Sequence, residues 1–422
     1  MSETCEMSGD RMAKNDSNFV YLDFNATTPL ELSVIDAMTD AMSQYWFNPS
    51  SGYDCGQRTK AVLDSCRYTV GEMINCRSPR EEIIFTSGGT EANNWLIHSF
   101  IREFESIQSL NDCGKIPHVI TSNVEHDSIA TPLKCLSSQQ KLEVTFVPVS
   151  HETGSVDPYS VIKALKANTV LITIMLANNE TGFIQNVSLI SRLLQEINEE
   201  RMHLNQPPVY LHTDAAQAIG KIAVDVQHLN VDYLTIVGHK FYAPRVGALY
   251  HRKGSPLHPL FYGGGQEYGL RPGTENILCI VGLAEAAKLV IKNLNLYNAH
   301  FKKIRKYLEK QLKTEFNDEV TINGESVEER LPNTVSVAFN DTRLKGPLVL
   351  KYARRVRASV GAACHSNGDE VSSVLLASGV SKKLALCTLR LSVGRETSES
   401  DIDTVILDLR NAVNMITQNP KN

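Results

Sequence analysis

No apolar run in this 422-residue sequence approaches the ~20 residues that a membrane-spanning helix needs. Charge of one sign is not in excess either: the net value of −5 gives no sign of a nucleic-acid-binding surface. Cysteine is sparse and unpatterned. Its nine occurrences, at 55, 66, 76, 364 and elsewhere, form an odd set in which no two share the Cys-x-x-Cys spacing of a structural zinc site. A His-Glu-x-x-His zinc signature is missing too. This usage points to reduced thiols in a cytosolic or nuclear compartment, where disulfides rarely persist. The first 18 residues contain neither the apolar core of a signal peptide nor the Arg-rich, acid-poor character of a transit segment. They read as a disordered tail, and the cytosol is the expected location. Internal repeats, low-complexity segments, the Walker A loop and the Gly-x-Gly-x-x-Gly fingerprint are absent.

What is present is ordinary in bulk, with 42% hydrophobic and 21% charged residues, as in globular proteins generally. At ~150 residues per domain, the length suggests two or three domains. The basic run His300–Lys306 lies in a long stretch of helical character and reads as a solvated helix face. Between about 82 and 252, short β-branched runs alternate with helical stretches. Strands are expected at 83–86, 118–121, 143–149, 169–175, 209–212, 233–237 and 246–250, with helices at 92–102, 159–166 and 189–198 among them. Such alternation argues for an α/β domain built on a largely parallel sheet. After Asn276 the texture changes. A long helical region over 281–316, broken near 293–298, precedes strands at 334–339, 358–360 and 389–393 and a final helix over 400–416.

Four constellations could carry chemistry, and each falls at a strand end or in a loop, where α/β sheets collect ligands. Thr86-Ser87-Gly88-Gly89-Thr90-Glu91 follows a strand and opens a helix; it suits a phosphate, though an ordinary strand-to-helix turn has the same composition. Asp214, ending an apolar strand, needs a partner such as a protonated ring nitrogen, unless it simply caps the next turn. Lys240, in Val237-Gly238-His239-Lys240, is placed to form a Schiff base, although a lone lysine is more often a solvated charge. Its 26-residue separation from Asp214 spans about one helix and one strand, which sets both at neighbouring strand ends. Cys364 lies in a small-residue polar stretch, Gly361-Ala362-Ala363-Cys364-His365-Ser366, fit for a reactive thiolate rather than a core thiol.

Together with Tyr21–Pro29, Asn48–Ser51, Glu125-His126, Ala177–Gly182, Arg271–Asn276 and Leu389–Arg395, these blocks resemble the pyridoxal-phosphate-dependent cysteine desulfurase and selenocysteine lyase family, of the class V aminotransferase type. The form of the Cys364 block, with Glu125-His126-Asp127-Ser128, is most similar to the selenocysteine lyase branch. The resemblance implies the type I fold of pyridoxal-phosphate-dependent transferases. That is a large α/β domain (33–280) with a mainly parallel seven-stranded sheet flanked by helices, and a smaller α+β domain (19–32 and 281–422) carrying the Cys364 segment.

It also implies roles. Lys240 would hold the cofactor covalently and then shuttle the substrate's α-proton, Asp214 would pair with the ring nitrogen, and His126 would stack on the ring. Gln217 and Asn179 would bond near the phenolic oxygen. Thr90, the Gly89 turn and His239 would hold the phosphate, joined by Thr274 of a second subunit in a homodimer. The family's usual serine two residues before this histidine is Val237 here, one phosphate contact fewer. Arg390 would take the substrate carboxylate through a bidentate fork, near Asn179 and Asn25. Cys364 would receive selenium or sulfur and pass it to a reductant or an acceptor protein, while Asp127 or His365 would tell the two chalcogens apart. A sulfur-supplying cysteine desulfurase has the same chemistry, and a non-catalytic scaffold is the reading from another class. No metal, nucleic acid or membrane is implied.

Overall fold

Most of the β-branched runs of the chain's middle become strands buried on both faces. The computed structural model describes residues 19–108, 116–204, 206–361 and 371–418; the tail 1–18, Cys364 and His365 lie outside them. In chain order, β1 (Val20–Tyr21), α1 (Leu32–Gln44), α2 (Asp54–Met73) and α3 (Pro79–Glu82) lead to β2 (Ile83–Thr86). Then come α4 (Gly89–Gln108), β3 (His118–Ser122), α5 (Asp127–Ser138), β4 (Glu143–Val147), α6 (Pro158–Lys163) and β5 (Thr169–Thr173). The middle closes with α7 (Val187–His203), β6 (Tyr210–Asp214), α8 (Val226–Leu229), β7 (Tyr233–Val237) and β8 (Gly247–His251). The remainder holds α9 (Ile277–Phe316), β9 (Val320–Ile322), β10 (Thr334–Phe339), α10 (Gly346–Tyr352), β11 (Val356–Arg357), α11 (Ser373–Ala377), α12 (Lys382–Leu386), β12 (Thr388–Ser392) and α13 (Glu399–Gln418).

Among the described residues, seven strands form the main sheet in the order β2-β8-β7-β6-β5-β3-β4. Only β8 runs against its neighbours. Every residue of β2, β3, β5, β7 and β8 is buried, as expected where helices cover both faces. The strand order reverses where β3 meets β5. That reversal opens a crevice at the carboxyl ends of the parallel strands.

A second sheet, β12-β10-β9, packs with α13 and the C-terminal half of α9 around a separate core that includes Leu22, Phe301, Leu308, Val337, Leu391 and Leu409. The N-terminal half of α9, Ile277 to Val290, belongs to the core of the main sheet. One helix therefore joins the two cores.

Several elements depart from the sequence expectation. The long helix has no break at 293–298: Asn293 donates to Tyr297 Oη (3.2 Å) and Asn298 to the Lys221 carbonyl (2.8 Å), so both amides are engaged while the helix runs on. The strand expected at 358–360 lies earlier, at β11, and Ser359 makes only an isolated bridge to Arg390. The helix expected from Ala92 begins at Gly89, three residues sooner.

Arg67 of α2 and Glu267 form a two-pronged ion pair (2.7 and 2.6 Å) with side chains 3% and 2% exposed. Glu267 also accepts from the Phe85 amide, and Arg67 donates to the Ile83 carbonyl, so the pair pins α2 and the 266–269 turn to edge strand β2. Removing one partner strands the other charge. Arg67→Ala is expected to lower unfolding free energy by about 3–5 kcal/mol. Denaturant titration checks this, and a loss below about 1 kcal/mol would show that the pair is not what anchors the edge.

Candidate active site

Five parallel strands deliver the side chains of one cavity. It has a volume of about 270 Å³ and lies at their carboxyl ends. After β2 come Gly89 and Thr90; after β3, His126 and Ser128; after β5, Met175, Ala177 and Asn179. Asp214 ends β6 and is followed by Gln217, while Val237, His239 and Lys240 stand at and beyond the end of β7. Asn25, Ala26 and Arg390 close the cavity from the second core's side.

The glycine turn is shaped by packing. A Cβ on Gly89 would lie 2.5 Å from Val237 Cγ2, so only glycine lets the start of α4 sit against the end of β7. Gly88 beside it has open space around it. The N-terminus of the 20-residue α4 thus meets the cavity with its amides, a favourable place for an anion.

Asp214 is buried and does two things. Its Oδ1 accepts from the Ala216 amide (2.9 Å), the capping role its position allowed, while its Oδ2 accepts from Asn93 Nδ2 (2.9 Å). Asn93 also donates to Ser128 Oγ (2.8 Å) and accepts from Thr235 Oγ1 (2.7 Å). Ser128 Oγ in turn lies 2.8 Å from His126 Nδ1, which accepts from the Ser128 amide as well. A polar chain therefore links the carboxylate to the imidazole. His126 itself caps α5.

Glu125, next to it, is fully enclosed. It accepts from Ser122 Oγ (2.6 Å) and the Met175 amide (3.0 Å), tying β3 to the segment leaving β5. Burial pushes its carboxyl up to about 8, with the Asp214 charge adding to the effect. Burial likewise holds His212 down at about 4, against the pull of Asp214. His239 is also held at about 4, by burial and then by Lys240 and Arg245, so its imidazole is neutral near pH 7.

Lys240 Nζ donates to the carbonyls of Asn25 (2.6 Å) and Ala26 (2.9 Å), which aims it at the cavity from the chain's N-terminal segment. Asn25 spends its side chain inside the protein, donating to the Asn179 carbonyl and Thr334 Oγ1 and accepting from Asn333. Its backbone oxygen is what it turns toward Lys240 and Gln217. Arg390 donates from Nη2 to Asp23 Oδ1 (2.6 Å) and from Nη1 to the Asn179 carbonyl (3.0 Å), so one hydrogen on each arm of the expected fork is already engaged. Its Nε is buried without a partner, as is Asn179 Oδ1.

Fourteen positions were singled out from sequence, and ten of them line this cavity; Asp127 is not among the lining residues. Thr274 is not either; it is exposed, in a separate depression with Arg271 and Arg245. Cys364 lies outside the described residues, as does His365. Asn93, Ser128, Thr235 and Asp23 were missed as supporting residues. Asn93 carried a usable signal: it is three residues after Thr90, on the same face of a helix that begins at the cavity.

A covered, mainly parallel sheet with a lysine, a carboxylate, an imidazole and a helix N-terminus at one crevice defines a pyridoxal-phosphate type of site. Asn179 Oδ1 and Arg390 Nε are buried without partners in residues that line this cavity, so a polar ligand of that kind fits the residues present. The chain belongs to the class-V aminotransferase family, whose model matches residues 20–405. It is 48% identical over 409 residues to a selenocysteine lyase of Homo sapiens, covering 93% of this chain and 92% of that one. It is 38% identical over 385 residues to the cysteine desulfurase IscS of Dictyoglomus turgidum, covering 91% and 92%. Among solved structures, a NifS-like protein superposes with a TM-score of 0.83 at 31% identity, covering 94% of this chain and all of that one.

No described helix is long and apolar enough to cross a membrane, and no group of three or more potential metal ligands occurs among the described residues. The six described cysteines carry no disulfide.

Proposed function

We propose that this chain is a pyridoxal-phosphate-dependent lyase acting on L-selenocysteine, releasing L-alanine and leaving selenium on Cys364. The observation that carries the proposal is the meeting of Lys240, Asp214, His126 and Arg390 at one cavity, in a chain 48% identical to a selenocysteine lyase over most of its length. When bound, the cofactor supplies an electron sink for negative charge at the substrate's α-carbon.

The Gly89 amide, Thr90 and His239 would hold its phosphate and Lys240 its aldehyde carbon. Asp214 would face its ring nitrogen, His126 its ring face, and Gln217 and Asn179 its ring oxygen. Arg390, already steadied by Asp23 and the Asn179 carbonyl, takes the substrate carboxylate with the donors that remain, Nε–H and the second hydrogen on each arm. Its pose is set before substrate arrives, which limits the entropy lost on binding. Lys240 Nζ moves the proton of the α-carbon. The Cys364 thiolate attacks selenium; the Cβ–Se bond breaks with its electron pair going to carbon, which gains a proton and leaves as alanine. The new S–Se bond is then cleared by a thiol reductant or an acceptor protein. A second copy of the chain would bring Thr274 to the phosphate in a homodimer, and the cytosol is the proposed location.

Cysteine desulfuration is the second reading, supported by the 38% identity to IscS. Alanine formation measured side by side from the two amino acids decides between them. L-Selenocysteine is expected to exceed L-cysteine in kcat/KM by at least about tenfold, or 1.4 kcal/mol in the barrier. Cys364→Ala is expected to abolish selenium release above the nonenzymatic baseline. Equal turnover of both substrates would favour desulfuration instead. Because a selenol ionises below a thiol, the selenium substrate is anionic at neutral pH, and Asp127, in the first turn of α5 beside His126, or His365 would sense that difference. The selectivity ratio is expected to fall in Asp127→Ala or His365→Ala; a ratio unchanged in both removes this part.

A further inference from the structure

We propose that Lys221 is a positioning residue of this site: its amine, 2.8 Å from Gln217 Oε1, locks the Gln217 amide so that only N–H is left for the cavity. The inference rests on the pyridoxal-phosphate reading and specifies what the ring oxygen would meet there. An unrestrained glutamine can present either end of its amide by a half-turn. Here the half-turn is blocked from two sides. Gln217 Nε2 donates to the Asn25 carbonyl (3.0 Å), which can only accept, while Oε1 receives the Lys221 donor. Reversal would press two oxygens together at Asn25 and waste the lysine's hydrogen. Nε2 keeps a second hydrogen, and Gln217 lines the cavity. The group it favours is therefore an anionic oxygen acceptor.

Local sequence builds this contact. After β6 the chain makes one helical turn, with Ala218 N donating to the Ala215 carbonyl and Lys221 N to the Ala218 carbonyl. That spacing brings residues 217 and 221 to one face. Gly220 has φ +78, and a Cβ there would lie 2.8 Å from Phe241 Cβ. Glycine thus lets the turn press against the residue following Lys240. Lys221 is 4% exposed and forms no ion pair among the described residues. Burial holds its amine well below the usual lysine range, and Lys240 and Arg390 push the same way.

The test uses the holoenzyme and follows the absorbance of the bound cofactor across pH in Lys221→Met, Gln217→Ala and the double variant. A donor at the ring oxygen favours its ionised form, so losing that donor raises the midpoint at which the chromophore takes up a proton. Each single variant is expected to raise it by about one pH unit. The double variant is expected to shift no further than either single one, because both remove the same contact. Lys221→Gln, shorter and uncharged, is the second variant should the methionine not fold, with a shift in the same direction. An unmoved midpoint in both Lys221 variants with cofactor bound overturns the role, and so do additive shifts in the double variant. Wild-type protein in which borohydride fixes nothing to Lys240 overturns the underlying reading instead, and the Lys221 role falls with it.

Discussion

Lys240→Ala is expected to purify without a borohydride-fixed adduct at that position and to form alanine from L-selenocysteine at least about 10³-fold more slowly. Proton transfer by a positioned side chain alone is worth about 10²–10⁴-fold, and this lysine is also the proposed covalent anchor. The structure shows why no neighbour can substitute. Lys240 is aimed by the carbonyls of Asn25 and Ala26 from one side and by the end of β7 from the other. Lys221, also buried nearby, is committed to Gln217. Lys240→Arg separates chemistry from support: it keeps a donor for the two carbonyls and still cannot form the linkage. The same loss is expected in both variants. Activity within tenfold of wild type in either one would remove Lys240 from the chemistry.

Asp214→Asn is expected to lower kcat by about 10²- to 10³-fold, the range seen when one preorganised electrostatic partner is removed. The carboxylate is held by Ala216 N on one oxygen and Asn93 Nδ2 on the other. An asparagine would keep the first bond but set an amide N–H₂ against Asn93, whose own amide is fixed by Ser128 and Thr235. A stability loss of about 1–3 kcal/mol should accompany the change. Asn93→Ala serves as the control, because it loosens the same network and leaves the charge in place. Its activity loss is expected to be much smaller, near tenfold. Equal losses in the two would show that the network, and not the negative charge at the ring nitrogen, is what matters.

The pairing of Asp214 with Lys240 was legible because it is a matter of spacing. One helix and one strand separate the two, β6 and β7 are parallel neighbours, and both side chains emerge at the same edge. The Gly88-Gly89 turn between a strand and a helix was legible as a turn, though its composition suits an ordinary strand-to-helix turn as well as a phosphate. Asn293 and Asn298 misled because both are weak helix formers, yet Tyr297 one turn on and the distant Lys221 carbonyl absorb their amides and let a 40-residue helix continue. The family resemblance implied a carboxylate-binding role for Arg390, but nothing local told that two of its hydrogens were already taken by Asp23 and Asn179, which lie 367 and 211 residues away.

From its sequence alone this protein had a strand-and-helix alternation, a crevice composition and a set of reactive residue types, all consequences of local patterning and covalent spacing. Which hydrogen each of those residues still has to offer was decided only by the tertiary structure. Gln217 keeps one N–H, Arg390 keeps Nε–H and one hydrogen on each arm, and the Asn25 side chain keeps none. Hydrogen-bond valence is consumed by contacts between segments hundreds of residues apart, and no local pattern records that consumption.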